Sequence, residues 1–326
     1  MTRRIDISYK TVIFIAAFLL GLWIIYQILD LIMLLFVAII FTSALSPLVS
    51  LMQKYKLPKA LGIAITYFFV VGILISLLAI SFTPLIEQTA NLISVLPSTI
   101  NQLSSFAHVD PSIVTSGVPD ISKNFLSISK SIFDNFITII LLLVITFYLL
   151  LEKAEVERRA AALFIGREER VKKTIEKIED KLGNWLRGQL FLSVIIGALV
   201  YLGLTILQIP YALPLAIWAA LLEVVPVIGP IISAIPAILV ALTLSPVLGG
   251  GVLAMYFVIQ QLENHVIVPQ VMKKAVGLNP LLVILAVAVG GRLLGFGGAL
   301  LAVQITVVLQ IIVGEVLKGD EVEKIA

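Results

Sequence analysis

Uncharged apolar runs of about twenty residues recur along this chain, and no other feature limits its fold as much. Residues 31 to 53 and 60 to 86 contain no Asp, Glu, Lys or Arg, whereas 151 to 187 hold ten Lys/Arg and eight Asp/Glu. Of the 326 residues 60% are hydrophobic and 13% charged, with a mean hydropathy of +1.11. Soluble domains run about 45–50% apolar and about 25% charged, and could not hide this much apolar surface. The expected solvent is a lipid bilayer, where backbone polar groups must be paired inside helices. The fold class expected is an all-α polytopic membrane protein. It has about eight membrane segments, two of them broken or re-entrant helical hairpins, plus an amphipathic cytoplasmic helix.

A net charge of +3 and a pI near 9.0 raise the question of nucleic acid. No basic patch interleaved with aromatics occurs, however, and the Lys/Arg surplus flanks apolar spans, so membrane topology accounts for the basicity. The chain has no cysteine, which removes disulfides, thiolate metal sites and Cys nucleophiles together. Arg3, Arg4 and Lys10 precede the apolar run 11 to 29. That run is long for a signal peptide and lacks a small-x-small exit, so it reads as an uncleaved first span.

Residues 11 to 51 are too long for one crossing and imply two spans with Asp30 at the outer turn. Basic residues on both flanks then place both ends inside. The divisions expected are helices one to three over 1–84, an extracytoplasmic helical region over 85–134 and helix four over 135–151. A cytoplasmic amphipathic segment over 152–188 precedes a C-terminal membrane domain over 189–315, and a cytoplasmic tail covers 316–326. In the amphipathic segment Val171, Ile175, Ile178, Leu182 and Trp185 follow helical spacing. The stripe either packs on the membrane domain or forms a short heptad seam for a homo-oligomer.

Two apolar stretches, 211–245 and 280–315, exceed one span and are broken near their centres. The first break is Glu223-Val-Val-Pro226-Val-Ile-Gly229-Pro230; the second runs from Gly290-Gly291-Arg292 to Gly295 and Gly298. Proline removes a helical hydrogen bond and glycine weakens a helix, so re-entrant hairpins with tips near the midplane are expected. Shifting the first segment by 66 residues lays Pro214 on Pro280 and Gly229 on Gly295, a weak sign of an inverted repeat. Irregular backbone at that depth must be buried in protein or line a watery cavity, which points to a transport site.

Charged side chains in a span cost about 2.5–3.5 kcal/mol on insertion scales, so Glu223, Glu263 and Arg292 are candidates for ion coupling. Glu223 and Arg292 could pair across the two tips, as a site or as a structural lock. Gln260, Asn264 and Gln304 are further polar candidates, and Pro226, Gly229, Pro230, Gly291 and Gly295 shape the tips. No HExxH, GxSxG or phosphate-loop motif is present, and nothing suggests an enzyme, a cofactor or a metal.

The second-half blocks carry a resemblance: Pro226-Val-Ile-Gly229-Pro230 with Pro236, Glu263-Asn264 with Pro269, Gly277 through Pro280, and Gly290-Gly291 leading to Gly295 and Gly298. Over nearly the whole chain the sequence resembles the autoinducer-2 exporter family of bacterial membrane proteins. The resemblance implies eight membrane segments and export of a small polar quorum-sensing molecule; some members resemble sodium–proton antiporters. Gln304 departs from the family pattern, which usually has proline there. The function expected is a secondary transporter of the bacterial inner membrane, exporting a small polar solute by alternating access coupled to protons or sodium. The alternatives are a sodium(lithium)/proton antiporter and, from another class, a non-transporting membrane scaffold. The partners expected are the lipid bilayer and the solute or ions.

Overall fold

The computed structural model describes residues 9–81, 136–225, 228–272 and 280–323. All regular structure among them is helical. The helices are α1 (Tyr9–Gln27), α2 (Leu29–Lys54), α3 (Lys59–Ser81), α4 (Phe136–Ala162), α5 (Glu168–Ile206), α6 (Ala212–Leu222), α7 (Ile228–Leu244) and α8 (Pro246–Leu262). A π-helical turn (Glu263–Ile267), α9 (Val268–Met272) and α10 (Pro280–Glu323) follow. Among the described residues five helices, α2 to α5 and α10, are long and apolar enough to cross a membrane. Their outer faces are apolar: Phe68 is 85% exposed and Ile137 78%. Surfaces of that kind are stable only against lipid or another protein.

Two expectations are corrected. The chain does not reverse at Asp30: Ile28 alone interrupts the helix, and the bonds Ile28 N to Ile24 O and Ile32 N to Ile28 O carry the ladder across it. No glycine or proline lies between Gly21 and Pro47 to stop the helix. The charged segment is also not a separate helix. α4 runs on through its first part, the chain turns at residues 163–167 with Gly166 at φ 79°, and α5 joins the amphipathic stripe to the apolar residues up to Ile206 without a break. The region 85–134, Lys273 and Lys274 lie outside the described residues.

The helices α2, α4, α6, α8, α9 and α10 all pack on α5. Its partner α2 contains Pro47, which has no N–H to give the carbonyl of Ser43 four residues earlier. Arg187 of α5 donates instead, from Nη1 to the carbonyls of Ser43 (3.3 Å) and Ala44 (3.1 Å). Gly183 makes this approach feasible, since a Cβ there would stand 2.6 Å from the Ser43 oxygen. Ile40 and Ala44 of α2, Leu182 and Leu186 of α5, and Leu301 of α10 form the adjoining core. The largest core lies on the other side of α5, where Leu192, Ile196, Val200 and Leu204 meet apolar faces of α6, α7 and α8.

Charges gather at one end of this bundle. Lys153 of α4 reaches Glu179 of α5 at 2.7 Å and Ser46 of α2 at 3.3 Å. Lys59 of α3 donates to the carbonyl of Leu151 (2.8 Å), and Glu315 of α10 accepts from Arg170 and Lys177 of α5. Burial raises the Glu179 carboxyl above the usual carboxylate range, against the lowering pull of Lys153.

Both broken segments fold back on themselves. α6 stops at Leu222, and Gly229 at the start of α7 lies against the Leu222 carbonyl, where no side chain would fit. α10 bends at Gly295, whose φ of 62° and ψ of −148° only glycine adopts readily. Its arms then meet: a Cβ on Gly290 would stand 2.5 Å from the Gly298 oxygen, and one on Gly291 3.6 Å from the Ala299 Cβ. Residues eight apart in a straight helix would be about 12 Å apart, so the arms are antiparallel.

Candidate functional site

Glu223 caps the end of α6 and is 1% exposed. Its position follows from the break: α6 ends there because Pro226 and Gly229 follow, and the freed turn packs on α5. Gln189 of α5, itself 2% exposed, donates its Nε2 to the Glu223 carbonyl at 2.6 Å and so fixes the turn. Neither Glu223 carboxylate oxygen has a hydrogen-bond partner within normal reach among the described residues.

The neighbour of the Glu223 side chain is Glu263, which is 4% exposed. Glu263 opens the π-helical turn after α8, where the widened helix redirects one side chain inward. Gln260 donates to Glu263 Oε2 (3.1 Å) and to Asn264 Oδ1 (3.4 Å). The charged neighbour of Glu223 is therefore another carboxylate. Two adjacent negative charges in a low-dielectric interior require a proton or a cation between them, because isolated charges there cost several kcal/mol each.

The other sequence candidates divide around this pair. Gln260 is half-buried beside it, while Asn264 is exposed. Arg292 is exposed near the bend of α10 and does not pair with Glu223. Gln304 is 1% exposed, but its side-chain amide lies against the carbonyls of Leu300 and Leu301 of its own helix. Pro230 and Gly229 are buried against the turn, Gly291 and Gly295 shape the bend of α10, and Pro226 lies outside the described residues. Sequence reasoning missed Gln189 and Ser193, two buried polar residues four apart in α5. Their i, i+4 spacing in an otherwise apolar helix was the available signal.

Residues 12–318 match the family model described as AI-2E family transporter. The chain belongs to this family. The AI-2 transport protein TqsA of Escherichia coli (strain K12) is 26% identical over 88% of this chain and 86% of its own length. Putative transport protein YueF of Bacillus subtilis (strain 168) is 27% identical over 81% of this chain and 78% of its own. YrrI, a second protein of that strain with the same kind of name, is 32% identical over 42% of this chain and 39% of its own. AI-2E proteins are bacterial multi-pass membrane transporters, not enzymes. The all-helical architecture with lipid-suited faces agrees with that membership.

Proposed function

We propose that this chain is a secondary active transporter of the bacterial inner membrane that exports a small polar solute by alternating access, driven by a proton or sodium gradient through Glu223 and Glu263. The observation that carries the reading is the buried Glu223 carboxylate, whose polar neighbour among the described residues is another buried carboxylate, Glu263, where two helices break. Loading and unloading a proton or cation there changes the electrostatic cost of the turn, and so biases one packing of the helices over another. The two folded-back segments are the moving parts in this reading. Each is re-entrant, and they open toward opposite faces.

The charged end, with Lys59, Lys153 and Arg170, is cytoplasmic by the positive-inside bias, and Glu315 on Arg170 and Lys177 brings the C-terminal part of α10 to the same side. Arg292 near the Gly295 bend then meets solute that carries a hydroxyl or a negative charge. The likeness to TqsA suggests an AI-2-like solute.

The carboxylate pair also favours a second reading, sodium(lithium)/proton antiport without an organic solute. Proteoliposomes holding purified protein separate the two. Gradient-driven solute efflux lost in Glu223→Gln supports the exporter, and sodium-driven proton flux without solute supports the antiporter. Correctly inserted protein that moves neither sinks transport and leaves a membrane scaffold.

A further inference from the structure

Ser193 is 5% exposed, and its hydroxyl has no hydrogen-bond partner among the described residues. That is unusual, because a buried serine in a helix ordinarily bonds the carbonyl four residues back, as Ser43, Thr66 and Thr146 do here. Its place on α5 is bracketed by two contacts. Four residues before it, Gln189 holds the Glu223 carbonyl at 2.6 Å. Four residues after it, a Cβ on Gly197 would stand 2.8 Å from the Ala220 Cβ and 3.3 Å from the Ala216 carbonyl oxygen. Residues four apart share a helix face, so Ser193 faces the last turn of α6, between Ala220 and Glu223.

One helix–helix contact thus holds a buried hydroxyl without a hydrogen-bond partner among the described residues and a buried carboxylate whose polar neighbour is a second carboxylate, Glu263. We propose that Ser193 is the third ligand of a site that takes one dehydrated alkali cation of sodium or lithium size between Glu223 and Glu263, in exchange for the carboxyl proton. Hard oxygen ligands suit such an ion, which replaces its lost hydration with carboxylate and hydroxyl oxygens. The exchange balances: one proton leaves a carboxyl group as one monovalent cation arrives, and the pair's net charge is unchanged. Glu263 is the charged group that faces Glu223 from the elements packed on it, and Gln189 and Gln260 supply neutral amides.

This inference rests on the coupling role given above to Glu223 and Glu263, and it is tested without transport. Sodium, lithium or choline chloride is added to purified full-length protein in weakly buffered detergent solution, and proton release is followed with a pH indicator. Sodium and lithium should release protons saturably and choline should not. Ser193→Ala should raise the half-saturating sodium concentration about tenfold, Ser193→Thr should restore it by keeping the hydroxyl, and Glu223→Gln should release nothing. Size exclusion confirms folding, which Ser193→Ala should not disturb because its hydroxyl has no partner among the described residues. Unchanged half-saturation in Ser193→Ala overturns the assignment of the hydroxyl. Gradient-driven solute flux with no cation-specific proton release removes the site and keeps the transporter, whereas proton release with no flux removes the transporter and keeps the site.

Discussion

The guanidinium of Arg187 lies against the carbonyl of Ser43, the one that Pro47 deprives of its helical donor. A break in α2 is thereby closed by a side chain of α5, and the charge is held partly by backbone dipoles and partly by Asn184 Oδ1 at 2.9 Å. Arg187→Ala should lower stability by about 1–3 kcal/mol, the usual worth of hydrogen bonds from a charged group to buried acceptors. Arg187→Lys should recover part of it, since one ammonium can stand in for Nη1 at the two carbonyls but leaves Asn184 Oδ1 without the donor that Nη2 supplies. Thermal unfolding in detergent measures both. Equal melting temperatures for wild type and Arg187→Ala would mean that water already serves these carbonyls.

Glu223→Gln and Glu263→Gln should each leave the melting temperature unchanged or raise it, because each removes a charge from a buried like-charged pair. Coupled flux should nevertheless fall at least tenfold in either variant, and the double variant should be no worse than the worse single one. Groups that act as one unit are non-additive in this way. Losses that multiply in the double variant would mean two independent sites.

Glu179 gives a pH signature at the charged end. Its carboxyl is raised in the folded protein by burial, so the folded state holds the proton more tightly than the unfolded one. The stability it contributes is full below the unfolded value and is lost as pH rises through the raised folded value. Melting curves across that window should fall with pH more steeply for wild type than for Glu179→Gln. Parallel slopes would show that Lys153, 2.7 Å away, fully offsets the burial.

Much of this architecture was legible in sequence, because the bilayer forces apolar length and period into the chain. The breaks at Glu223 and Gly295 could be read from Pro226, Gly229 and the glycine cluster, since proline and glycine act locally. Partner choice was not legible. Glu223 and Arg292 looked complementary by charge and by place in their segments. The partner chosen was Glu263, through an antiparallel arrangement of α7 with α8, seen in the Tyr256 hydroxyl donating to the Ser233 carbonyl at 3.4 Å, and a π-helical turn that redirects one side chain. A π-turn has no composition of its own, so Glu263 could be called buried but not aimed. The reversal expected at Asp30 failed for a related reason: a length argument says that a run is too long but does not say where it bends.

The fold-back of α10 can be tested covalently, because the chain has no cysteine to interfere. A Cβ on Gly291 would stand 3.6 Å from the Ala299 Cβ, inside the range of about 3.5–4.5 Å that a disulfide spans. The double substitution Gly291→Cys and Ala299→Cys should therefore oxidise readily, and mass spectrometry would find both thiols blocked to alkylation. A straight helix would hold those positions about 12 Å apart and leave both thiols free, which would overturn the bend at Gly295. The neighbouring contact predicts the same from the opposite direction. Gly298→Ala should destabilise by about 1–3 kcal/mol, because its methyl would overlap the Gly290 carbonyl and force the arms apart. Gly314→Ala in the same helix meets open space and should be neutral or stabilising by up to about 1 kcal/mol, as alanine favours helix. If both alanines behave alike, helix propensity rather than the close approach of the two arms explains the glycines.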